Sequence, residues 1–371
     1  MTARRSGGGD TLSLRALSRA TLARQMLLGR EAMKPVSAIE RLVGLQAQWP
    51  RQAFIGLWTR LEGFRRDDLL GALSARKAVR VTAMRSTLHV MSAKDYVGMR
   101  APLARALSKN LQAIVGKRLA SVDLETVVSV AKAGFANDPQ TFEEMRDRLV
   151  RRFPDGDERA MGYAARLSVP LVQVPTTDAW GFPASPQFVE AETWLGKPLR
   201  VDDDPAPIVS RYLAAFGPAS IADVQSWSGL QGLREVFARL APGLRTFTDE
   251  RGRTLFDLPD APRPAEASPA PVRFLPEFDN LLLAYDDRRR VIADAHKPAV
   301  YLPGLRVAPT LLVDGIVAGT WKIERKKDAA TLSVTPFRPL PKAVVRETNE
   351  EAEALVRFAE PDATAWRVRV D

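Results

Sequence analysis

Helix-start signals recur along this chain, and each opens a run that ends in short alternating segments. Ser37 and Glu40 have capping-box spacing, as do Thr141 and Glu144, and Ser220 stands at the head of the apolar-periodic run 221–227. In the first stretch, helical periodicity covers 17–28, 37–48 and 54–61. Asp67 and Asp68 open a further short helix through Leu73, their charges favourably placed at its N-terminus. Val79 and Val81 then alternate with polar residues, and 87–90 form a second strand. Helices closed by a basic two-stranded ribbon describe a winged helix. The chain reads as a series of such units, which sets the fold class as α+β with tandem winged helices.

Boundaries follow from the breaks between runs. Residues 1–11 are polar and Gly-rich, lack an apolar signal-peptide core, and are expected to form a disordered tail. The first winged helix occupies 12–93, a helical linker 94–120, a second winged helix 121–200 and a third 201–262. Helices are expected at 124–135 and 141–153, with Pro154, Asp155 and Gly156 breaking the run before a strand at 169–174. The acidic, proline-bearing stretch 202–207 leads to the third unit, where Arg251-Gly252 turns a hairpin into 254–258. Residues 259–271, rich in Pro and Ala, read as a linker. Asp314-Gly315 between apolar runs is a strong two-residue hairpin signal, and a closing helix covers 349–358. Residues 263–371 are therefore expected to be a β-rich, barrel-like module.

Composition narrows the function classes. The chain carries 54 Lys+Arg against 44 Asp+Glu, a net charge of +10, and only 12 of the basic residues are lysine. An arginine-dominated basic surface suits phosphate and planar base recognition, although an arginine-rich proteome gives the same excess. With no cysteine and two histidines, His89 and His296, no thiolate metal site, HExxH pair or His/Cys zinc centre is possible. No GxxxxGK[ST] and no strand–GxGxxG–helix motif is present, so nucleotide-driven and dinucleotide-dependent chemistries are not expected. No run approaches the ~18 to 20 apolar residues of a membrane span. The expected protein is cytoplasmic, nucleoid-associated and monomeric, with no cofactor, no metal and no membrane partner.

The segment Gln46-Ala47-Gln48-Trp49-Pro50 closes the helix expected at 37–48. Gln46 continues the apolar stripe of Ile39, Leu42 and Val43, where a buried amide is costly unless hydrogen-bonded. Pro50 cannot continue a helix and pushes Trp49 towards extended geometry. Two glutamines and a tryptophan are thus displayed where the helix ends, a place to hold a water or a ligand. On a continued helix positions 46 and 48 diverge by about 200°, so convergence requires the last turn to unwind.

Several blocks occur together and in order: Gly44-Leu45-Gln46-Ala47-Gln48, Arg85-Ser86-Thr87-Leu88-His89, Phe216-Gly217-Pro218 with Asp223 and Trp227-Ser228-Gly229-Leu230, Leu275-Pro276-Glu277-Phe278-Asp279 with Asp287-Arg288, and Val313-Asp314-Gly315 with Gly319-Thr320-Trp321. In these the chain resembles, over nearly its whole length, the bacterial winged-helix DNA-binding proteins that include the AlkZ-type DNA glycosylases. The resemblance implies tandem winged helices and a C-terminal β-barrel around a DNA channel. It also implies excision of alkylated purines and unhooking of interstrand crosslinks in duplex DNA, in some members as self-resistance to a DNA-alkylating antibiotic, and a lesion read without base flipping. The family's signature is Gln, an aliphatic residue, then Gln or Asp, whose side chains position the hydrolytic water. Gln46 and Gln48 match the Gln/Gln form of the crosslink-unhooking branch, while Ala47 is smaller than the usual aliphatic residue.

An amide is no general base near neutral pH. An N7-alkylguanine or N3-alkyladenine is already cationic, however, and departs neutral without a proton, so a positioned water can suffice. Around Gln46 and Gln48, DNA contacts are expected from Trp49 as a stacking wedge and from Arg51. Arg85, Thr87 and His89 are expected on one face of a strand, Arg288 in the Asp286-to-Arg290 turn, and Lys322 and Arg325 on a basic β-ribbon. Bland readings stand beside these: Trp49 as core, His89 as a satisfied strand residue, the arginine turn as a solvated surface. Asp279, Trp321, Asp223 and Trp227 read as framework. A non-enzymatic winged-helix DNA-binding protein or regulator is the alternative function, and a metal-dependent nuclease, lacking a paired-acid motif, a weaker third.

Overall fold

The computed structural model describes residues 10–371. Most of the expected tail, 1–9, lies outside them; the rest of that stretch is ordered, since the strand Thr11–Leu12 pairs parallel with Arg245–Asp249. The fold is mixed α+β, built on two five-stranded sheets, a three-stranded sheet and a short hairpin. The first sheet runs, in spatial order, Leu45–Gln46, Leu88–Ser92, Ala78–Thr82, Leu171–Gln173 and Phe188–Glu190, all antiparallel. The ribbon of the first stretch and that of the second therefore share one sheet, joined where Arg80 faces Gln173 and Val81 faces Val172.

The helix expected at 37–48 is shorter and ends differently. It spans Pro35–Arg41, with Pro35 in its first turn and Lys34, which gives no side-chain cap, at the N-cap. Ser37 lies inside the helix, so the apparent capping box is not one. Val43 and Gly44 have φ of 57° and 89°, which turns the chain out of the helix into a strand. By contrast, the Thr141/Glu144 box is formed at Phe142–Arg152, and Ser220 caps Ile221–Ser228 reciprocally with Asp223. The linker helix runs Ala93–Val115 and starts at a Ser92 cap. The helix Glu158–Ser168 follows directly on the expected break, because Asp157 caps it and its apolar face is buried.

The C-terminal sheet is open, which corrects the barrel expectation. Ala365–Val370 lies parallel to Ala329–Pro336, followed in order by Ile316–Lys326, Thr310–Val313 and Arg273–Leu275. Among the described residues its two edges do not meet. The physical reason is the helix Lys342–Ala359, whose Ala352, Leu355 and Val356 cover the sheet residues Trp321, Leu332 and Val334 in one apolar cluster. A sheet whose apolar face is covered by a helix has no need to close on itself. The expected hairpin at Asp314-Gly315 is present. The stretch 259–271 forms no regular element but is tied down, its carbonyls at Pro262, Glu266 and Ser268 accepting from Arg24, Arg15 and Arg19.

Candidate active site

The two glutamines lie where a two-residue strand, Leu45–Gln46, runs out into a bend, and not on an unwound helix. Gln46 pairs across the sheet with His89, and Ala47 N–H donates to Leu88 O at 2.8 Å. The strand ends at Gln46, and Gln48 lies in the bend that follows, yet both side chains line one cavity. Gly44 permits the turn into this strand: a Cβ there would lie 3.1 Å from Met91 Cγ and 3.3 Å from Val90 O. The outer edge of the strand is closed by one side chain. Asn280 Nδ2 donates to Gly44 O at 2.6 Å and its Oδ1 accepts from Gln46 N–H at 3.3 Å. Asn280 is itself fixed by the preceding Asp279, which forms a fully buried two-pronged ion pair with Arg60 at 2.8 and 2.9 Å. Asp279 is thus framework, as is Trp321, whose indole donates to Leu275 O at 3.0 Å.

Gln46 is buried, and its carbonyl oxygen faces a cation. Arg85 Nη2 donates to Gln46 Oε1 at 2.6 Å, and Nη1 donates to Trp227 O. A guanidinium only donates, so the amide oxygen must point to Arg85. Gln48 differs: its Oε1 is buried and has no hydrogen-bond partner. Behind it, the buried Arg80 donates to Ala47 O at 3.0 and 2.8 Å and to Gln48 O at 2.9 Å. One amide is therefore pre-oriented and the other keeps an open acceptor.

Arg85 does not sit on the strand as expected. It lies in the tight turn Met84–Ser86, with φ of 53°, and Ser86 follows at 61°. Two consecutive non-glycine residues in the left-handed region mark a backbone held under strain by its surroundings. Asn110 on the linker helix donates to Ser86 Oγ at 2.9 Å and helps hold it. Burial and the nearby Arg288 charge lower the Arg85 pKa to about 10. His89 also departs from expectation, since it is fully buried and lines neither cavity that contains Gln46. Burial first, then the Arg85 charge, lowers its pKa to about 3. The ring is neutral at pH 7, and Nδ1–H donates to Thr87 O at 3.0 Å. Its burial, away from both cavities, sets His89 apart from the surface a phosphate would meet, and the residue pairs across the sheet with Gln46.

Thr87 and Arg288 do face the site. One cavity is lined by Gln46, Gln48, Trp49, Arg85 and Thr87, and a second shares Gln46, Arg85 and Thr87 and adds Arg288. Arg288 lies over the Tyr301 ring at 4.5 Å, whereas Arg289 pairs with Asp287 and the buried Arg290 donates to Pro218 O. Neither Arg85 nor Arg288 has a carboxylate within ion-pair distance among the described residues. Trp49 is 63% exposed at the cavity rim, which disposes of the core reading. Arg51 is half-buried, 3.9 Å from Glu277. Lys322 and Arg325 do not reach these cavities. Lys322 pairs with Glu324 at 3.3 Å, and Arg325 is held by Lys327 O, Asp362 O and Glu360, because the ribbon lies on the C-terminal sheet.

Sequence reasoning missed Arg80, Arg166, Phe278 and Arg306, which join the site from separate segments. A basic residue between Val79 and Val81 was the one legible signal. Among the described residues no group of three or more His, Asp or Glu is placed to hold a metal ion, and no helix is long and apolar enough to cross a membrane.

A family model described as DNA glycosylase AlkZ-like matches residues 39–358. The interstrand DNA cross-link repair glycosylase of Streptomyces sahachiroi is 27% identical over 358 residues, covering 90% of this chain and 93% of that protein. The solved structure of Streptomyces sahachiroi DNA glycosylase AlkZ has the same fold, with a TM-score of 0.80 at 22% identity, covering 97% of this chain and 100% of that one.

Proposed function

The chain belongs to the AlkZ-like DNA glycosylase family, and on that premise we propose that it is a monofunctional, metal-independent hydrolase of cationic alkylpurines, interstrand crosslinks included. The carrying observation is the asymmetric glutamine pair: Gln46 Oε1 held by Arg85, and Gln48 Oε1 buried and unpartnered. The relative's crosslink-repair name supports the extension to crosslinks. N7-alkylguanine and N3-alkyladenine are the substrates, read in duplex DNA by a monomer in the cytoplasm. The helix-plus-ribbon units act as winged helices on that duplex.

In this mechanism the C1′–N9 bond breaks with its electron pair leaving on the purine, which neutralises the cationic base. The sugar becomes oxocarbenium-like, and a water oxygen bonds to C1′. Gln48 Oε1 accepts a hydrogen bond from the water and aims its lone pair, while Gln46 Oε1 accepts a second with the lone pair that Arg85 leaves. The captured water loses its proton to solvent, so neither amide has to act as a base. Positive charge on Arg85 and Arg288 opposes charge build-up at C1′ unless an anion is near. DNA phosphates supply that anion. A hydrolase of this kind also serves as self-resistance in a cell that makes a DNA-alkylating compound, a role tested by the sensitivity of a deletion strain.

The test is base release in EDTA from duplexes carrying N7-methylguanine or a nitrogen-mustard crosslink, with alkali revealing abasic sites. The reading expects release from both, and loss in the Gln46→Ala/Gln48→Ala protein. Retention in the double variant would remove the mechanism. Tight, salt-sensitive binding with no release from any adduct would point instead to a DNA-binding regulator.

A further inference from the structure

Gln48, Trp49 and Arg166 are shared between the glutamine cavity and a third one of about 440 Å³. Arg80 and Gln173 line only this third cavity, with Phe142 and Phe188 among its apolar walls. Its charges are unbalanced. Arg80 is buried and reaches neutral acceptors alone: the carbonyls of Ala47 and Gln48, and Gln173 Oε1 at 2.5 Å. Arg166, on the helix Glu158–Ser168, has neither a hydrogen-bond partner nor a carboxylate within ion-pair distance among the described residues. Arg146 is already paired with Glu158 at 3.2 Å, and the one carboxylate on the lining, Glu143, is exposed. Burial and then the Arg166 charge lower the Arg80 pKa to about 10, and burial lowers that of Arg166.

Two guanidiniums facing one concave, partly apolar space without a counter-charge lose hydration and repel each other. Four of the five Arg80 N–H groups are already taken by those carbonyls and Gln173, which leaves one Nη1–H, whereas Arg166 has no such compensation. A phosphate supplies that compensation, because its tetrahedral non-bridging oxygens each accept several hydrogen bonds and two of them fit a guanidinium fork. We propose that this third cavity is a phosphodiester site, in which Arg166, with the remaining Nη1–H and the charge of Arg80, holds a DNA phosphate next to the target nucleotide. The backbone carbonyls bonded by Arg80 belong to Ala47 and Gln48, so the seated phosphate fixes the DNA register against the water-holding amide.

This rests on the DNA reading but not on base hydrolysis, and equilibrium binding tests it. A duplex with one tetrahydrofuran abasic-site analogue fixes the register, and single methylphosphonate linkages are scanned along both strands. The expected result is one linkage near the analogue whose neutralisation weakens wild-type binding about tenfold and has no further effect on Arg166→Gln. That variant should also lower the slope of log K against log salt by about one. Glu143→Gln, an exposed change that spares the fold, should tighten binding, and the same methylphosphonate should cancel the gain. Losses that add at every linkage would overturn the proposal. So would a flat scan with inorganic phosphate competing at wild-type but not Arg166→Gln protein, since the pair would then take a free anion. Failure of the glycosylase reading looks different: no base release, and no preference for the analogue over plain duplex.

Discussion

Gln46 and Gln48 carry the same side chain in unequal settings. Arg85 orients the first, so on the proposed mechanism replacing that guanidinium should disturb catalysis while both amides remain. Arg85→Lys keeps the charge but loses the fork that spans Gln46 Oε1 and Trp227 O. Single-turnover base release should fall on the order of 10- to 100-fold, since a misplaced positioning group costs that much, while DNA affinity changes little. An unchanged rate would show that Gln46 needs no orientation. Near it, the His89 pKa falls from 6.5 unfolded to about 3 folded. Between those values the unfolded chain binds the proton and the native one does not, so stability rises with pH. The native state should lose about 1.4 kcal/mol per pH unit from this group as pH drops below about 6. Urea midpoints measured from pH 7 to pH 4 should fall less steeply for His89→Asn than for wild type.

At the scale of elements, the glutamine strand exists because a helix stops early. Val43 and Gly44 leave the helix in left-handed geometry, and the chain then pairs with Leu88–Ser92. Gly44→Ala meets both a positive φ of 89° and contacts at 3.1 and 3.3 Å. It should destabilise the protein by more than ~1 kcal/mol and abolish base release, because Gln46 leaves its register. Normal activity with a normal urea midpoint would contradict this. Helical periodicity of Ile39, Leu42 and Val43 made the longer helix look sound, and periodicity cannot register a φ reversal. The Arg85 turn is a similar case: alternation suggested one strand, but two strained residues send the guanidinium back across the sheet to Gln46.

Across the whole molecule, the site is assembled from distant segments. Asn280 seals the edge of the glutamine strand, and the buried Arg60–Asp279 pair anchors it from 219 residues away in sequence. Asp279→Ala leaves Arg60 buried without its counter-charge and should cost about 3–5 kcal/mol, read as a shifted urea midpoint. An unchanged midpoint would show that Arg60 finds another partner. The largest apolar core likewise mixes Val79 and Met91, Tyr212 and Trp227, and Tyr285 and Val291. The first and second ribbons share a sheet, so the expected units meet as one packed body around the cavities.

Local chemistry was readable from the residues alone. Caps at Thr141 and Ser220, the Asp314-Gly315 hairpin and the α+β class all depend on neighbours within a few positions. The Gln46-Ala47-Gln48 signature and the blocks around it marked the family for the same reason, since motifs survive as contiguous strings. What local pattern could not hold was convergence. Arg80 and Arg166, Asn280 at the strand edge, the burial that keeps His89 neutral, and the helix that leaves the C-terminal sheet open are products of contacts between remote segments. Desolvation and charge pairing are properties of a position in space, and only the tertiary structure assigns that position.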